Sequence, residues 1–169
     1  MRIKLRPFVT IDAERLAEIG NSLNIARFMA GRYPFPYFKE DAEKFIQETL
    51  KKQPLQSFAI IHENQIIGAC GIHPQEDIFK NNAEIGYWLG EAYQGKGLAY
   101  EALQLLIPYA FENFRVNRLY ARVFGNNPRS MKLLEKSGFK MEAKYDGTLE
   151  RFGEILDEYI YAYRLKADH

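Results

Sequence analysis

Gln94-Gly95-Lys96-Gly97-Leu98-Ala99 is the stretch whose reading decides this chain. It follows a strand-like run over 84–89 and opens a long helical pattern beginning at Gly97. Glycines let a backbone turn sharply and come close to a ligand. The first N–H groups of a helix have no intrahelical partner, and they carry the positive end of the helix dipole. Such a junction is suited to phosphate, so a ligand with a pyrophosphate is the first expectation.

Working outward, residues 3–9 alternate and read as a strand. Thr10 and Asp12 are placed to cap a helix running to about Gly20, and a short helix is expected over 23–30. Two prolines exclude regular structure from Gly31-Arg32-Tyr33-Pro34-Phe35-Pro36-Tyr37-Phe38. Residues 39–52 favour helix, with Ala42, Phe45, Ile46 and Leu50 near one face. Strands are expected at 57–62 and 65–72, joined as a hairpin by Glu63-Asn64. A polar loop over 77–82 leads to a strand at 83–89. The helix over 97–113 has apolar residues almost all round, and Pro108 predicts a bend. A strand at 118–124 follows. Asn127 caps a helix with Pro128 in its first turn, and Gly138 ends it. Strands at 139–145 and 154–165 complete a mixed α/β domain spanning 1–169, without linker or repeat.

The 169 residues are 47% hydrophobic, enough for one compact core. Twenty-three basic and 22 acidic residues nearly balance, and no Lys/Arg run exceeds two, which argues against nucleic acid or a membrane surface as partner. The one cysteine, Cys70, sits in an apolar stretch and reads as a buried small hydrophobe. Residues 1–6 alternate apolar and basic, unlike a signal peptide, and no apolar run approaches a membrane span, so a cytoplasmic protein is expected. His62, His73 and His169 lack metal-ligand spacing, and no metal is expected.

Three kinds of phosphate site compete for the 94–99 turn. Residues 90–96 match G-x-x-x-x-G-K, but Gly97 stands where a magnesium-nucleotide site needs Ser or Thr. Gly95-Lys96-Gly97 begins a dinucleotide fingerprint, yet its third glycine is replaced by Tyr100. Arg115-Val116-Asn117-Arg118 also occupies the region that should supply an acid. The third possibility rests on resemblance. The 94–99 turn resembles the Q/R-x-x-G-x-G/A loop that grips the acetyl-CoA pyrophosphate in the GCN5-related N-acetyltransferases (GNAT). Ala83-Glu84-Ile85-Gly86-Tyr87-Trp88-Leu89 resembles that family's central strand. Asn127-Pro128-Arg129-Ser130 and Leu134-Glu135-Lys136-Ser137-Gly138-Phe139 resemble its later asparagine, helix and Gly-Phe signature. The strand's Glu-Ile-Gly-Tyr-Trp and the Asn-x-x-Ser form are most similar to the ribosomal-protein N-acetyltransferase-like branch.

The resemblance implies the GNAT fold, a central mixed, mostly antiparallel sheet of six to seven strands flanked by helices. It implies acetyl transfer from acetyl-CoA to a primary amine, on a protein N-terminus or a small molecule, by a monomer or homodimer. The backbone of Gln94, Gly95, Lys96, Gly97, Leu98 and Ala99 would hold the pyrophosphate. Trp88, Leu89 and Gly90 would meet the pantetheine arm, and a strand amide there would polarise the thioester. Glu84 is the candidate base, directly or through water, because an ammonium near pKa 10 must lose a proton before attack. Asn127 would bond the pantetheine or cap its helix, and Ser130 would assist the departing thiolate. Tyr33, Phe35 and Tyr37 lie where the family builds its acceptor wall. Many members carry a tyrosine as general acid in the helix after Asn127, but Lys132-Leu133-Leu134-Glu135 holds none. A thiol pKa near 8.5 lets the thiolate leave with hydrogen-bond help alone. The alternative is a CoA-binding or sensing module of the same fold without chemistry.

Overall fold

Strand period gives way to helix period at turn and cap residues, and the elements follow that pattern. The computed structural model describes residues 1–166. In chain order the elements are β1 (Ile3–Arg6), a 3-10 turn (Thr10–Asp12), α1 (Ala13–Gly20), α2 (Leu23–Ala26) and α3 (Lys39–Leu50). Then come β2 (Ser57–His62), β3 (Gln65–Pro74), a 3-10 turn (Asp77–Phe79), β4 (Asn82–Leu89) and a 3-10 turn (Glu91–Tyr93). The chain closes with α4 (Leu98–Asn113), β5 (Arg118–Phe124), α5 (Pro128–Lys136), β6 (Lys140–Arg151) and β7 (Glu154–Arg164). A seven-stranded sheet has the order β1-β2-β3-β4-β5-β7-β6. The β1–β2, β2–β3, β5–β7 and β6–β7 pairs are antiparallel, and β4–β5 is parallel. The expected mixed α/β sheet of six to seven strands is therefore found, with seven.

The chain divides into two compact units, Met1–Gly71 with Tyr87–Leu106, and Ile72–Gly86 with the residues from 107 onward. In the first, Leu16, Ala26, Ala42, Ile46 and Ala59 are fully enclosed in one apolar cluster that includes Phe8, Tyr33 and Tyr37. In the second, Tyr120, Ile160 and Ala162 form a smaller cluster against Ala143.

Several boundaries differ from expectation. Strand β1 stops at Arg6 because Pro7 has no N–H for a ladder. Asp12 does not cap with its side chain at the start of α1. Its carboxylate instead accepts from Val9 N–H at 2.8 Å and pairs with Arg6 at 2.8 and 3.0 Å. Helix α2 ends at Ala26, where Phe28 and Met29 make tighter i→i−3 bonds. On α3 the buried positions are Ala42, Ile46 and Thr49, while Leu50 is 42% exposed. The expected polar loop at 77–82 contains a 3-10 turn, and Asn82 already belongs to β4. Helix α4 continues through Pro108.

The largest shift is in β6, which runs six residues past the expected Tyr145. Asp146-Gly147, just past the expected end, lies in a register irregularity between Tyr145 and Leu149. There Gly147 has φ +59° and donates to Asp157 Oδ1 at 2.8 Å. The hairpin turn is Phe152-Gly153, both with positive φ, closing the Arg151↔Glu154 pair. The expected β2–β3 hairpin is found, with Glu63 and Asn64 both at positive φ.

Candidate active site

In the first unit, the end of β4 is seated on β3 by close backbone approach. A Cβ at Gly68 would lie 2.1 Å from Trp88 O and 3.0 Å from Leu89 Cα, so glycine is required there. Gly90 N–H donates to Ile67 O at 2.8 Å. The side chain of Gln94 then doubles back, its Nε2 donating to Leu89 O at 2.9 Å. The intervening 3-10 turn is held by Ser22 Oγ on Glu91 Oε1 (2.7 Å) and Arg15 Nη2 on Tyr93 OH (2.9 Å).

Beyond this anchor, Gly95 and Gly97 adopt φ of +74° and +78°, conformations that disfavour any side chain. Residues 95–97 are exposed, whereas Leu98 is 1% exposed and pins the start of α4. Glu101 N–H closes the first turn of α4 on Gly97 O at 3.3 Å. A Cβ at Gly97 would meet Arg2 Nη2 at 3.4 Å. An exposed glycine turn feeding the amide end of a helix offers backbone N–H groups and a partial positive charge to an anion. Lys96 is exposed, and its carbonyl accepts from Arg2 Nη2 at 3.0 Å.

Three aromatic residues of this unit pack against one another. Tyr33 stacks on Tyr37 with ring centroids 4.8 Å apart and meets Trp88 edge-on at 5.9 Å. Tyr33 OH donates to Gly20 O at 2.6 Å. Burial, with a smaller contribution from Asp41, pushes the Tyr37 hydroxyl up to about 12. Burial and the neighbouring Tyr37 likewise push the Tyr33 hydroxyl up. Both stay neutral in ordinary buffers. Of the three expected acceptor-wall residues, Tyr33 and Tyr37 are core and Phe35 is 39% exposed.

In the second unit, a polar cluster forms across four strands. Glu84 on β4 pairs in register with Tyr120 on β5. Arg122 lies two residues along β5, its Nε 3.8 Å from Glu84 Oε1, and its Nη1 donates to the buried carboxylate of Glu158 on β7. Thr148 Oγ1 on β6 donates to the other Glu158 oxygen at 3.4 Å. Burial works against the Arg122 charge, but Glu158 and then Glu84 outweigh it and hold the guanidinium above its ordinary range. Burial raises the Tyr120 hydroxyl, and Glu84 adds to that.

Asn127 Oδ1 accepts from Ser130 N–H at 3.3 Å, so the expected cap of α5 is present. Ser130 is half-buried in the first turn. Gly138 at φ +97° ends the segment, with Phe139 N–H on Leu134 O at 2.9 Å and Gly138 N–H on Glu135 O at 3.1 Å, a Schellman closure. Beside the cap, Asn126 Oδ1 is buried with no hydrogen-bond partner, so it is ready to accept from an incoming N–H.

Sequence reasoning missed Arg2, Arg122, Glu158, Gly68 and Asn126. Glu158 carried a signal, since it shares the buried parity of β7 with Leu156, Ile160 and Ala162. Arg2 carried none. Among the described residues, no group of His, Cys, Asp and Glu is arranged to hold a metal, and His169 lies outside them. No described helix is long and apolar enough to cross a membrane.

Residues 2–140 match the family model described as "Acetyltransferase (GNAT) domain". An uncharacterized N-acetyltransferase, p20, from Bacillus licheniformis is 31% identical over 95% of this chain and 92% of its own length. The ribosomal-protein-serine acetyltransferase of Escherichia coli (strain K12) is 28% identical over 82% of this chain and 74% of its own. The crystal structure of the microcin C7 self-immunity acetyltransferase MccE, with acetyl-CoA and AMP, superposes with a TM-score of 0.83. That match is at 25% identity and covers 97% and 93% of the two chains.

Proposed function

The chain belongs to the GNAT acetyltransferase family, and from that premise we propose that it acetylates a primary amine by direct attack within a ternary complex. It is an acetyl-CoA-dependent acetyltransferase, similar to the ribosomal-protein acetyltransferases of its own branch. The family model covers residues 2–140, the first unit and part of the second, which supports treating residues 1–169 as one domain. The observation that carries the proposal is the 94–99 turn, with two positive-φ glycines exposed at the amide end of α4.

On this proposal, the backbone amides of Gln94, Gly95, Lys96, Gly97, Leu98 and Ala99 bind the pyrophosphate. Trp88, Leu89 and Gly90 border the pantetheine arm. Gly90 N–H is already engaged by Ile67 O, so strand alternation assigns the thioester carbonyl to the amide of Leu89, which faces the opposite edge of β4. Bound acetyl-CoA supplies the activated acetyl group, whose C–S bond breaks as the C–N bond to the amine forms. Glu84 takes the proton of the acceptor ammonium, directly or through a water, and Arg122 fixes the orientation of that carboxylate. Asn127 and Asn126 orient the pantetheine amides. Ser130 donates to the departing sulfur, in place of the tyrosine that α5 lacks. Phe35 forms the exposed part of the acceptor wall, backed by Tyr33 and Tyr37.

The acceptor is a protein N-terminal amine or a small-molecule amine, and the protein acts in the cytoplasm as a monomer or homodimer. The test is thiol release from acetyl-CoA against a panel of N-terminal peptides and small amines. Turnover on a member of the panel is the expected result. Tight CoA binding with no turnover on any member favours the CoA-sensing module, the reading that the missing α5 tyrosine supports.

A further inference from the structure

Arg2 reaches the phosphate turn from 94 positions away in the chain. Its Nη2 donates to Lys96 O at 3.0 Å, and its Nε donates to Glu101 Oε2 at 3.1 Å. Its own backbone is fixed as well. The N–H donates to Glu101 Oε1 at 3.1 Å, and the carbonyl lies 3.2 Å from His62 Nδ1. Glu101 stands in the first turn of α4 and His62 ends β2, so the Arg2 backbone is held from both sides, while Glu101 and Lys96 O hold its guanidinium.

In a trans peptide the carbonyl and the following N–H point in opposite directions. With Lys96 O drawn to Arg2, the N–H of Gly97 is turned away from Arg2. The guanidinium lies behind Gly97, where an added Cβ would be 3.4 Å from Nη2. At φ +78° and without a side chain, this peptide has more than one accessible orientation unless something holds it. Glu101 would also oppose an arriving phosphate. Arg2 engages that carboxylate, and its N–H and guanidinium hold it below the ordinary carboxylate range.

We propose that Arg2 is a positioning residue for acetyl-CoA. It locks the Lys96–Gly97 peptide so that the Gly97 N–H faces the pyrophosphate, and it neutralises Glu101 beside that site. The inference rests on the 94–99 turn being the pyrophosphate grip. A lysine cannot replace Arg2 here, because a compact ammonium cannot bridge the carbonyl and the carboxylate with a planar fork.

The test is calorimetric titration of CoA into wild type, Arg2→Ala, Arg2→Lys and Glu101→Gln. Amide hydrogen exchange over 94–99 and the melting midpoint of each protein accompany it. Loss of a charge-assisted brace should weaken CoA binding by about tenfold in Arg2→Ala and nearly as much in Arg2→Lys. Glu101→Gln loosens Arg2 but also removes the charge that opposes phosphate, so it should change affinity by less than about threefold. Exchange in the CoA-free turn should rise in both Arg2 variants, with the melting midpoint of Arg2→Lys near wild type. Wild-type affinity in Arg2→Lys means that charge alone suffices and overturns the inference. So does unchanged affinity in Arg2→Ala, or an affinity loss that follows a lowered midpoint while turn exchange stays constant. If CoA fails to slow exchange at 94–99 in the wild type, the pyrophosphate assignment itself fails, whatever Arg2 does.

Discussion

The 94–99 turn and the Glu84–Arg122–Glu158 cluster are built on opposite plans. The turn is six consecutive residues whose geometry comes from backbone conformation, with Gly95 and Gly97 at positive φ and Leu98 buried as the anchor. The cluster is made of side chains from β4, β5 and β7, and its Arg122 and Glu158 are 36 positions apart. Strand register decides which carboxylate meets which guanidinium. On the proposed function, the difference means that donor recognition is centred on one local turn, braced by Arg2, whereas proton handling depends on the register of the sheet.

The comparison breaks most severely where the turn loses its seat. In Gly68→Ala the new Cβ would lie 2.1 Å from the Trp88 carbonyl oxygen and 3.0 Å from Leu89 Cα, both backbone atoms. Overpacking of this kind should destabilise the protein by at least about 2–3 kcal/mol, read by denaturant unfolding. A change below 0.5 kcal/mol would show that β4 does not need that close approach.

Glu84→Gln separates proton handling from donor binding. It should lower kcat roughly 100-fold at pH 7 and less at pH 9, where more of the amine is already neutral, with CoA affinity unchanged. A loss independent of pH argues against Glu84 as the base. Asn127→Ala removes a local cap and should lower stability by about 1 kcal/mol in thermal or chemical unfolding. No loss would mean that the cap bond to Ser130 contributes nothing to α5.

The smallest expected effect compares two acidic anchors. Burial opposes the charge of Asp12 and of Glu142. Arg6 and the Val9 N–H nevertheless pull Asp12 below the usual carboxylate range, as Arg118 and Arg164 do for Glu142. A carboxylate depressed in the folded state stabilises it above its unfolded pKa, and that contribution fades as pH falls from about 4 through the folded value. Melting midpoints from pH 7 down to pH 2.5 should therefore fall less steeply in Asp12→Asn and Glu142→Gln than in wild type. Each contribution should be about 1 kcal/mol or less. Parallel curves would remove both pairs from the acid response.

What was legible in the sequence follows the same division. The glycine turn, the Asn127 cap and the Gly138 stop are set by neighbouring residues, and they were found where the sequence placed them. The β2–β3 hairpin was equally plain, because Glu63-Asn64 separates two apolar runs. The strand expected over 139–145 was cut short because Asp146-Gly147 is a local turn signal. Tertiary pairing made it a bulge and left the turn to Phe152-Gly153. The inward stacking of Tyr33 and Tyr37 was hidden because it depends on Trp88 and Gly20 elsewhere in the chain. Arg122 and Arg2 were hidden for the same reason, since each acts on groups far away in sequence.

The central claim is that the 94–99 turn grips the pyrophosphate of acetyl-CoA. Titration of CoA into wild type and Gly97→Val tests it most directly, with unfolding curves confirming that both proteins are folded. Valine at φ +78° strains the turn and crowds the Arg2 guanidinium behind it, so the amides lose their common orientation and affinity should fall by at least about 100-fold. Equal affinity in a folded Gly97→Val protein would contradict the assignment.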